Sequence, residues 1–144
     1  MNLKQALAEA NPHFLARHYA HVELSPGQDR FAQAIISRDP AHRQIVAKTP
    51  RKGGKTQTVA FAFATLFKQH PELRIFHLSG SYLQASRLYD YFKPLVTDAT
   101  LFPDALEGEP TRYLTRFRAG GKLEVLTASA KSIRGGDSEV LSID

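Results

Sequence analysis

The residues best suited to chemistry lie in a short glycine-rich segment, Thr49-Pro50-Arg51-Lys52-Gly53-Gly54-Lys55-Thr56. Glycines let backbone N–H groups approach phosphate oxygens, and a helix that starts there adds the partial positive charge of its N-terminus. A lysine at this point reaches the β- and γ-phosphates of ATP, and a threonine hydroxyl binds Mg²⁺. The strict pattern Gly-x-x-x-x-Gly-Lys-Ser/Thr is not met, because Thr49 stands at its first position. The final Gly54-Lys55-Thr56 is present, and the segment predicts a site for ATP and Mg²⁺.

The elements predicted around this segment are those that a phosphate-binding loop needs. The apolar run at residues 44–47 predicts a buried strand before it, and residues 55–69 predict a helix after it. Apolar side chains lie on almost every side of that helix, so we expect it to be covered on several sides. A bare Gly-Lys-Thr favours a simple glycine turn ahead of a helix. The strand before it and the helix after it favour nucleotide binding.

The rest of the sequence predicts alternating helices and strands. Before the glycine-rich segment, the sequence predicts a helical segment over residues 2–24 broken at Pro12, and a helix opened by Ser25-Pro26 and ended by Asp39-Pro40. After the helix over 55–69, it predicts a strand over 74–79, a helix closed by Pro94 and a surface loop over 97–111. A hairpin of 113–118 and 122–127 with a glycine turn and a strand over 140–143 complete the prediction. Strand and helix alternate with mostly short connections, which favours a mainly parallel α/β sheet. We therefore expect a helical segment over residues 1–24 and a nucleotide-binding region over residues 25–144.

Length and composition restrict the class of protein. The 144 residues carry 19 Lys and Arg against 14 Asp and Glu, a formal net charge of +5, and no cysteine. No apolar run approaches the roughly 20 residues that span a bilayer, and the first residues lack the apolar core of a signal peptide. These features predict a globular cytoplasmic protein. They exclude an integral membrane helix, a disulfide scaffold and a thiolate metal site.

The positive charge is concentrated in two stretches. No acidic residue occurs between Asp39 and Glu72, and that interval includes the glycine-rich segment. The cations of the second stretch are Arg112, Arg116, Arg118, Lys122, Lys131 and Arg134, which accompany the single carboxylate of Glu124. Clustered cations usually bind a polyanion such as nucleotide phosphate or a nucleic-acid backbone, and the alternative is a solvated protein face.

A second motif agrees with the phosphate loop. The mostly apolar residues 140–143 would carry Asp144 to the end of a buried strand. An aspartate at such a position holds Mg²⁺, usually through water, opposite the threonine of the loop. The pattern is short, and its position after the phosphate loop within one α/β arrangement strengthens the prediction of a Mg²⁺ site.

With these motifs in place, the chain resembles the ATPase domain of the large terminase subunit of tailed bacteriophages, the motor that packages viral DNA. The stretches that carry the resemblance are residues 24–28, 49–56, 78–85 and 129–135, in the order found in the family. The second stretch is similar to the family's deviant phosphate loop, which often lacks the first glycine and has an arginine where Arg51 stands.

The resemblance implies a P-loop NTPase fold with a mainly parallel sheet flanked by helices, and it implies a role for each matching residue. Lys55 and Arg51 would be catalytic, and Arg51 would contact the γ-phosphate unless it is only a solvent-facing charge. Gln28 would recognise the adenine edge, and Thr56 and Asp144 would hold Mg²⁺. The nucleotide-binding residues implied by the family are Gln28, Thr49, Pro50, Gly53, Gly54, Lys55 and Thr56.

The resemblance also implies partners and a setting. These are double-stranded DNA, the small terminase subunit, the portal, a homo-oligomeric ring and the cytoplasm of the host cell. In the family a glutamate follows the aspartate of the second motif and polarises the attacking water, whereas this sequence stops at Asp144. We therefore expect residues 25–144 to be the N-terminal part of an incomplete ATPase domain, with weak or no hydrolysis by the isolated chain.

Two other functions fit the same residues. A superfamily-two helicase or translocase also has an upstream glutamine motif, a phosphate loop and an aspartate at a strand end. The other alternative is a truncated module that binds nucleotide or DNA without turnover.

Overall fold

The structure, a computed structural model, describes residues 11–37, 54–127 and 140–143, the last range in its backbone alone. The helices in these ranges are α1 (Pro12–Tyr19), α2 (Pro26–Ser37), α3 (Lys55–Gln69) and α4 (Tyr82–Val96). The strands are β1 (Arg74–Ser79), β2 (Leu114–Arg116), β3 (Lys122–Thr127) and β4 (Val140–Ile143). The chain divides into two compact units, Met1–Gln69 and His70–Asp144. Among the described helices, none has the length and apolarity of a membrane span.

Helix α1 is shorter than the helical segment expected over residues 2–24, of which residues 2–10 lie outside the described ranges. The helix begins at Pro12, because the side chain of Asn11 caps it by accepting a hydrogen bond from the His13 N–H at 2.9 Å. Proline suits this first position, where its missing N–H costs nothing. The helix ends at Tyr19, and His21 adopts a left-handed φ of 56°. The expectation of a helix up to residue 24 was therefore wrong at its end, because the chain turns at His21.

Helix α3 is the centre of the first unit, and both α1 and α2 pack against it. Every residue from Thr58 to Phe67 is buried, as expected for a helix with apolar side chains all round. Burying a large side chain such as Phe61 or Phe63 contributes roughly 1.5–3 kcal/mol. The buried Thr65 hydroxyl donates to the Phe61 carbonyl at 3.0 Å, so its burial does not leave an unpaired hydroxyl in the core. The helix predicted over residues 55–69 is confirmed.

In the second unit, the described strands form a four-stranded sheet of order β2-β3-β1-β4. Strand β1 is parallel to both neighbours, with Ile75 opposite Leu123 on one side and Val140 on the other. Strand β2 pairs antiparallel with β3, which confirms the predicted hairpin. The fold is therefore mixed α/β, with parallel pairing at β1 and one antiparallel strand at the edge of the described sheet.

Helix α4 is anchored to the sheet through Tyr89. The phenol donates a hydrogen bond to the Leu123 carbonyl at 3.0 Å and accepts one from the Thr115 hydroxyl at 3.3 Å. Burial raises the pKa of Tyr89 well above its ordinary value, because the phenolate would have to leave water. The buried residues on this face of α4 are Ala85, Leu88, Tyr89, Phe92, Leu95 and Val96.

The last turn of α4 corrects the expectation that Pro94 closes the helix. The helix passes through Pro94 and ends at Val96. Both Leu95 and Val96 are buried. The hydroxyl and the N–H of Thr97 both donate hydrogen bonds to the Lys93 carbonyl, at 2.7 and 3.1 Å. Burial of two apolar side chains and this cap offset the hydrogen bond that the proline cannot make.

The loop predicted over residues 97–111 lies alongside the hairpin. The Glu107 N–H donates to the Arg116 carbonyl, and the Arg118 N–H donates to the Ala105 carbonyl, both at 2.9 Å. Leu101 and Phe102 are buried, so part of this loop belongs to the core and the expectation of a plain surface loop was incomplete. A sheet edge with free backbone groups invites pairing with other chains, and here the loop occupies that position along β2.

A glycine is required where the hairpin meets the start of β1. The Gly121 N–H donates to the Pro71 carbonyl at 3.1 Å. A Cβ at Gly121 would overlap that carbonyl and approach the Leu73 carbonyl oxygen to 2.8 Å. Both neighbours are backbone atoms that cannot rotate away, so only glycine fits.

Candidate functional site

The start of α3 places the predicted phosphate-binding residues at a helix N-terminus. Gly54 adopts φ +71°, in the left-handed region that favours glycine, and the helix begins at the next residue. The Gly54 carbonyl accepts hydrogen bonds from the N–H and the hydroxyl of Thr58, at 2.9 and 2.8 Å. Lys55 and Thr56 are half-buried in the first turn. The N–H groups of a first turn have no partners within the helix, so they are suited to an anion.

Gln28 contacts this helix start. A Cβ built on Gly54 would overlap the Gln28 side-chain nitrogen, so the amide lies directly against the glycine. Two residues that are far apart in sequence, and that were predicted to share one site, therefore meet in the structure. Only glycine at position 54 leaves room for this approach.

Gln28 also has a structural role that the sequence analysis missed. Its N–H donates to the Ser25 hydroxyl at 3.2 Å, and its side-chain oxygen accepts from the Ser25 N–H at 2.8 Å. This reciprocal pair is a capping box, which fixes the first turn of α2. The spacing Ser-x-x-Gln ahead of a helix is the sequence signal that would have found it. The amide oxygen of Gln28, the residue expected to recognise adenine, is therefore already engaged in capping α2.

An open depression of about 630 Å³ lies beside the capping box. Its lining residues are His13, Glu23, Leu24, Ser25, Pro26, Gln28 and Asp29. The exposed Glu23 carboxylate is within 3.5 Å of the His13 ring and 3.4 Å of the Arg17 guanidinium. Ionic, apolar and hydrogen-bonding groups thus converge on one surface, next to the residue that contacts Gly54.

Two polar atoms of this depression were also missed by the sequence analysis. The Asp29 Oδ1 and His13 Nδ1 atoms are buried, and neither has a hydrogen-bond partner in the described part of the chain. Buried polar groups in folded proteins nearly always have partners. Neither residue falls in a known motif, so no sequence signal distinguishes them from ordinary helix polar residues.

The segment after β1 forms the start of α4. The Ser81 hydroxyl caps the helix by accepting a hydrogen bond from the Gln84 N–H at 3.3 Å. The strand predicted over residues 140–143 is confirmed as β4, and it pairs with β1 in parallel, with Leu78 opposite Ile143. The carboxyl ends of these two strands therefore lie at the same edge of the sheet, which is where ligands bind in open α/β sheets.

Several predicted features lie outside the described residues. They are the strand over residues 44–47, the resemblance stretch 129–135, and the site residues Thr49, Pro50, Arg51, Gly53 and Asp144. Within the ranges that the structure describes, no group of three or more histidine, aspartate or glutamate side chains is arranged to hold a metal ion.

The second basic stretch is less positive in the structure than in the sequence. Arg118 lies 3.2 Å from the Asp104 carboxylate, and Lys122 lies 3.4 Å from Glu124. The Lys122 ammonium is also 5.2 Å from the centre of the Phe76 ring. Asp104 and Glu124 therefore supply counter-charges to the hairpin, and only part of the hairpin's charge is left to attract an anion.

No protein-family model matches the chain, and no curated protein matches it either. Function is therefore inferred from the residues and their geometry.

Proposed function

We propose that this chain is the ATP-binding part of a viral DNA-packaging motor ATPase of the terminase type, with the fold of a P-loop NTPase. In this proposal, ATP hydrolysis is coupled to movement of double-stranded DNA. The observation that carries it is the contact between Gln28 and Gly54 at the start of α3. Gly54 directly precedes a 15-residue helix that begins with Lys55 and Thr56, as a phosphate-binding loop requires.

The chemistry follows from the charges at that helix start. The N–H groups of the first turn and the Lys55 ammonium would bind the β- and γ-phosphates, and the helix dipole favours the same anion. The Thr56 hydroxyl, with Asp144, would hold Mg²⁺, which neutralises the charge that develops on the phosphates. Arg51 would add a planar guanidinium that can bind two phosphate oxygens at once.

The DNA side of the proposal is supported by charge alone. Two arginines of the hairpin stretch, Arg112 and Arg116, are exposed and are suited to backbone phosphates. Double-stranded DNA, the small terminase subunit, the portal and a homo-oligomeric ring in the host cytoplasm are the partners and setting that the terminase resemblance implies.

Calorimetric titration with Mg²⁺ and ATP tests the proposal. We expect Lys55→Ala to weaken ATP binding by roughly tenfold to a hundredfold, because a hydrogen bond to a charged group is removed. Lys68→Ala is the matched control, since this lysine lies in the last turn of the same helix. Equal affinity of the wild type and Lys55→Ala would contradict a phosphate site at the start of α3.

A hydrolysis assay then separates a motor ATPase from a binding module. Phosphate release that Lys55→Ala abolishes supports an ATPase. Lys55-dependent binding without phosphate release above background would support the non-hydrolysing alternative for the isolated chain.

A further inference from the structure

We propose that Asp29, assisted by His13, recognises the exocyclic amino group of a purine base in the depression beside Gln28. The inference rests on the proposed nucleotide binding and adds the residues that select the base. It starts from the two buried atoms without partners, Asp29 Oδ1 and His13 Nδ1, which belong to side chains lining the same depression.

The hydrogen-bonding character of these atoms defines the ligand group. An ionised carboxylate only accepts hydrogen bonds, so Asp29 requires a donor such as an amino group. The imidazole nitrogen of His13 either donates or accepts, depending on the tautomer, so it can pair with the ring nitrogen next to that amino group. Both residues are only partly buried, and both line the depression. In the proposed complex their side chains turn so that these two atoms, which are buried in the free chain, face the base.

Gln28 is less suited to this recognition than the sequence suggests. Its side-chain oxygen caps α2 through the Ser25 N–H, and its side-chain nitrogen lies against Gly54. Turning this amide towards a base would give up the capping bond. Asp29 is the next residue along α2, and it also lines the depression.

The charge of the depression favours a base over a phosphate. Glu23 and Asp29 both line it, so a phosphate placed there would meet two carboxylates. The base of a nucleotide is neutral, and Leu24 and Pro26 offer apolar surface to its ring. The phosphates would instead lie at the start of α3, which Gln28 contacts. The nucleotide is thereby oriented with its base towards Asp29 and its phosphates towards Lys55.

Two matched pairs of nucleotides test the proposal on the full chain. ATP and purine riboside triphosphate differ only in the 6-amino group, and GTP and ITP differ only in the 2-amino group. We expect the wild type to prefer the amino-bearing member of one pair by about tenfold or more, the usual effect of a hydrogen bond to a charged group. The pair that shows the preference identifies the base.

Variants assign that preference to Asp29. Asp29→Ala should bind both members of the pair equally, and Asp29→Asn, which keeps an acceptor oxygen, should retain part of the preference. Asp90→Ala, an exposed aspartate on α4, should retain all of it. A wild type without preference, or an Asp29→Ala variant that keeps it, would overturn the proposal.

The outcomes also separate this proposal from the proposed function. If nucleotides bind in a Lys55-dependent manner without any preference for an amino group, base recognition by Asp29 fails and nucleotide binding stands. If no nucleotide binds, both fail. Lys55-dependent binding of purine riboside triphosphate by Asp29→Ala shows that this variant is folded.

Discussion

Replacing Gly54 with alanine tests the geometry of the candidate site directly. The substitution has two separate effects, because Gly54 combines φ +71° with a close approach of Gln28. An L-residue in the left-handed region costs roughly 1–2 kcal/mol. The new methyl group also displaces the Gln28 amide, which is the flexible end of a side chain and moves at the expense of its bond to Ser25.

The expected loss of stability is the sum of these effects. The capping bond contributes about 0.5–1.5 kcal/mol, so Gly54→Ala should lower the free energy of unfolding by roughly 1.5–3.5 kcal/mol. Gly108→Ala is a matched control, because Gly108 has φ +76° and no atom within 4 Å of a Cβ built there. This control carries the backbone cost alone, about 1–2 kcal/mol.

A double-mutant cycle isolates the contact. In a Gln28→Ala background the methyl group at position 54 meets no amide, and the capping bond is already lost. Gly54→Ala should then cost no more than Gly108→Ala, which gives a coupling of about 1 kcal/mol between positions 28 and 54. Urea denaturation followed by circular dichroism measures all four chains of the cycle. Strictly additive losses would show that Gln28 does not lie on Gly54, and the candidate site would lose its central contact.

Three further predictions concern the second unit, each measured by urea denaturation. Burial raises the pKa of Tyr89 above the value of about 10 in an unfolded chain, so its stabilising contribution is complete below pH 10 and is lost as the pH rises further. The wild type should therefore lose about 1.4 kcal/mol per pH unit relative to Tyr89→Phe above pH 10, and parallel pH profiles would refute this. Gly121→Ala should lower the free energy of unfolding by about 2–4 kcal/mol, because the new methyl group meets the Pro71 carbonyl. A decrease below about 1 kcal/mol would show that the turn can relax around the methyl group. Arg118→Ala should cost less than about 1 kcal/mol, since both Arg118 and Asp104 are mostly exposed, and a larger loss would mean that this ion pair is structural.

The elements that could be predicted from sequence are those with strong local signals. Helix α3 follows a glycine pair and precedes Pro71, and its observed bounds, Lys55–Gln69, are the predicted ones. Strand β1 and the hairpin were also predicted correctly, because short β-rich runs are bounded there by glycine or proline. Where tertiary packing competes with a local signal, prediction failed. Proline favours an end to α4 at Pro94, but the buried Leu95 and Val96 extend it.

The candidate site was predictable in its residue types and unpredictable in its contacts. The Gly-Lys-Thr pattern and the upstream glutamine are visible in the sequence, and the glycine before Lys55 predicted that the helix starts at this lysine. That Gln28 lies on Gly54 depends on how α2 packs against α3, which no local pattern encodes. The unpartnered atoms of Asp29 and His13 likewise depend on which side chains surround them after folding.

The burial of α3 on all sides has a mechanical consequence. A helix with one exposed face can tilt or slide against its neighbours when a ligand pulls on its end. Helix α3 has no such exposed face over Thr58–Phe67, and it packs against both α1 and α2. Close-packed interiors transmit strain instead of absorbing it. We therefore expect any displacement of α3 caused by an anion bound at Lys55 to be shared with α1 and α2, which pack against it.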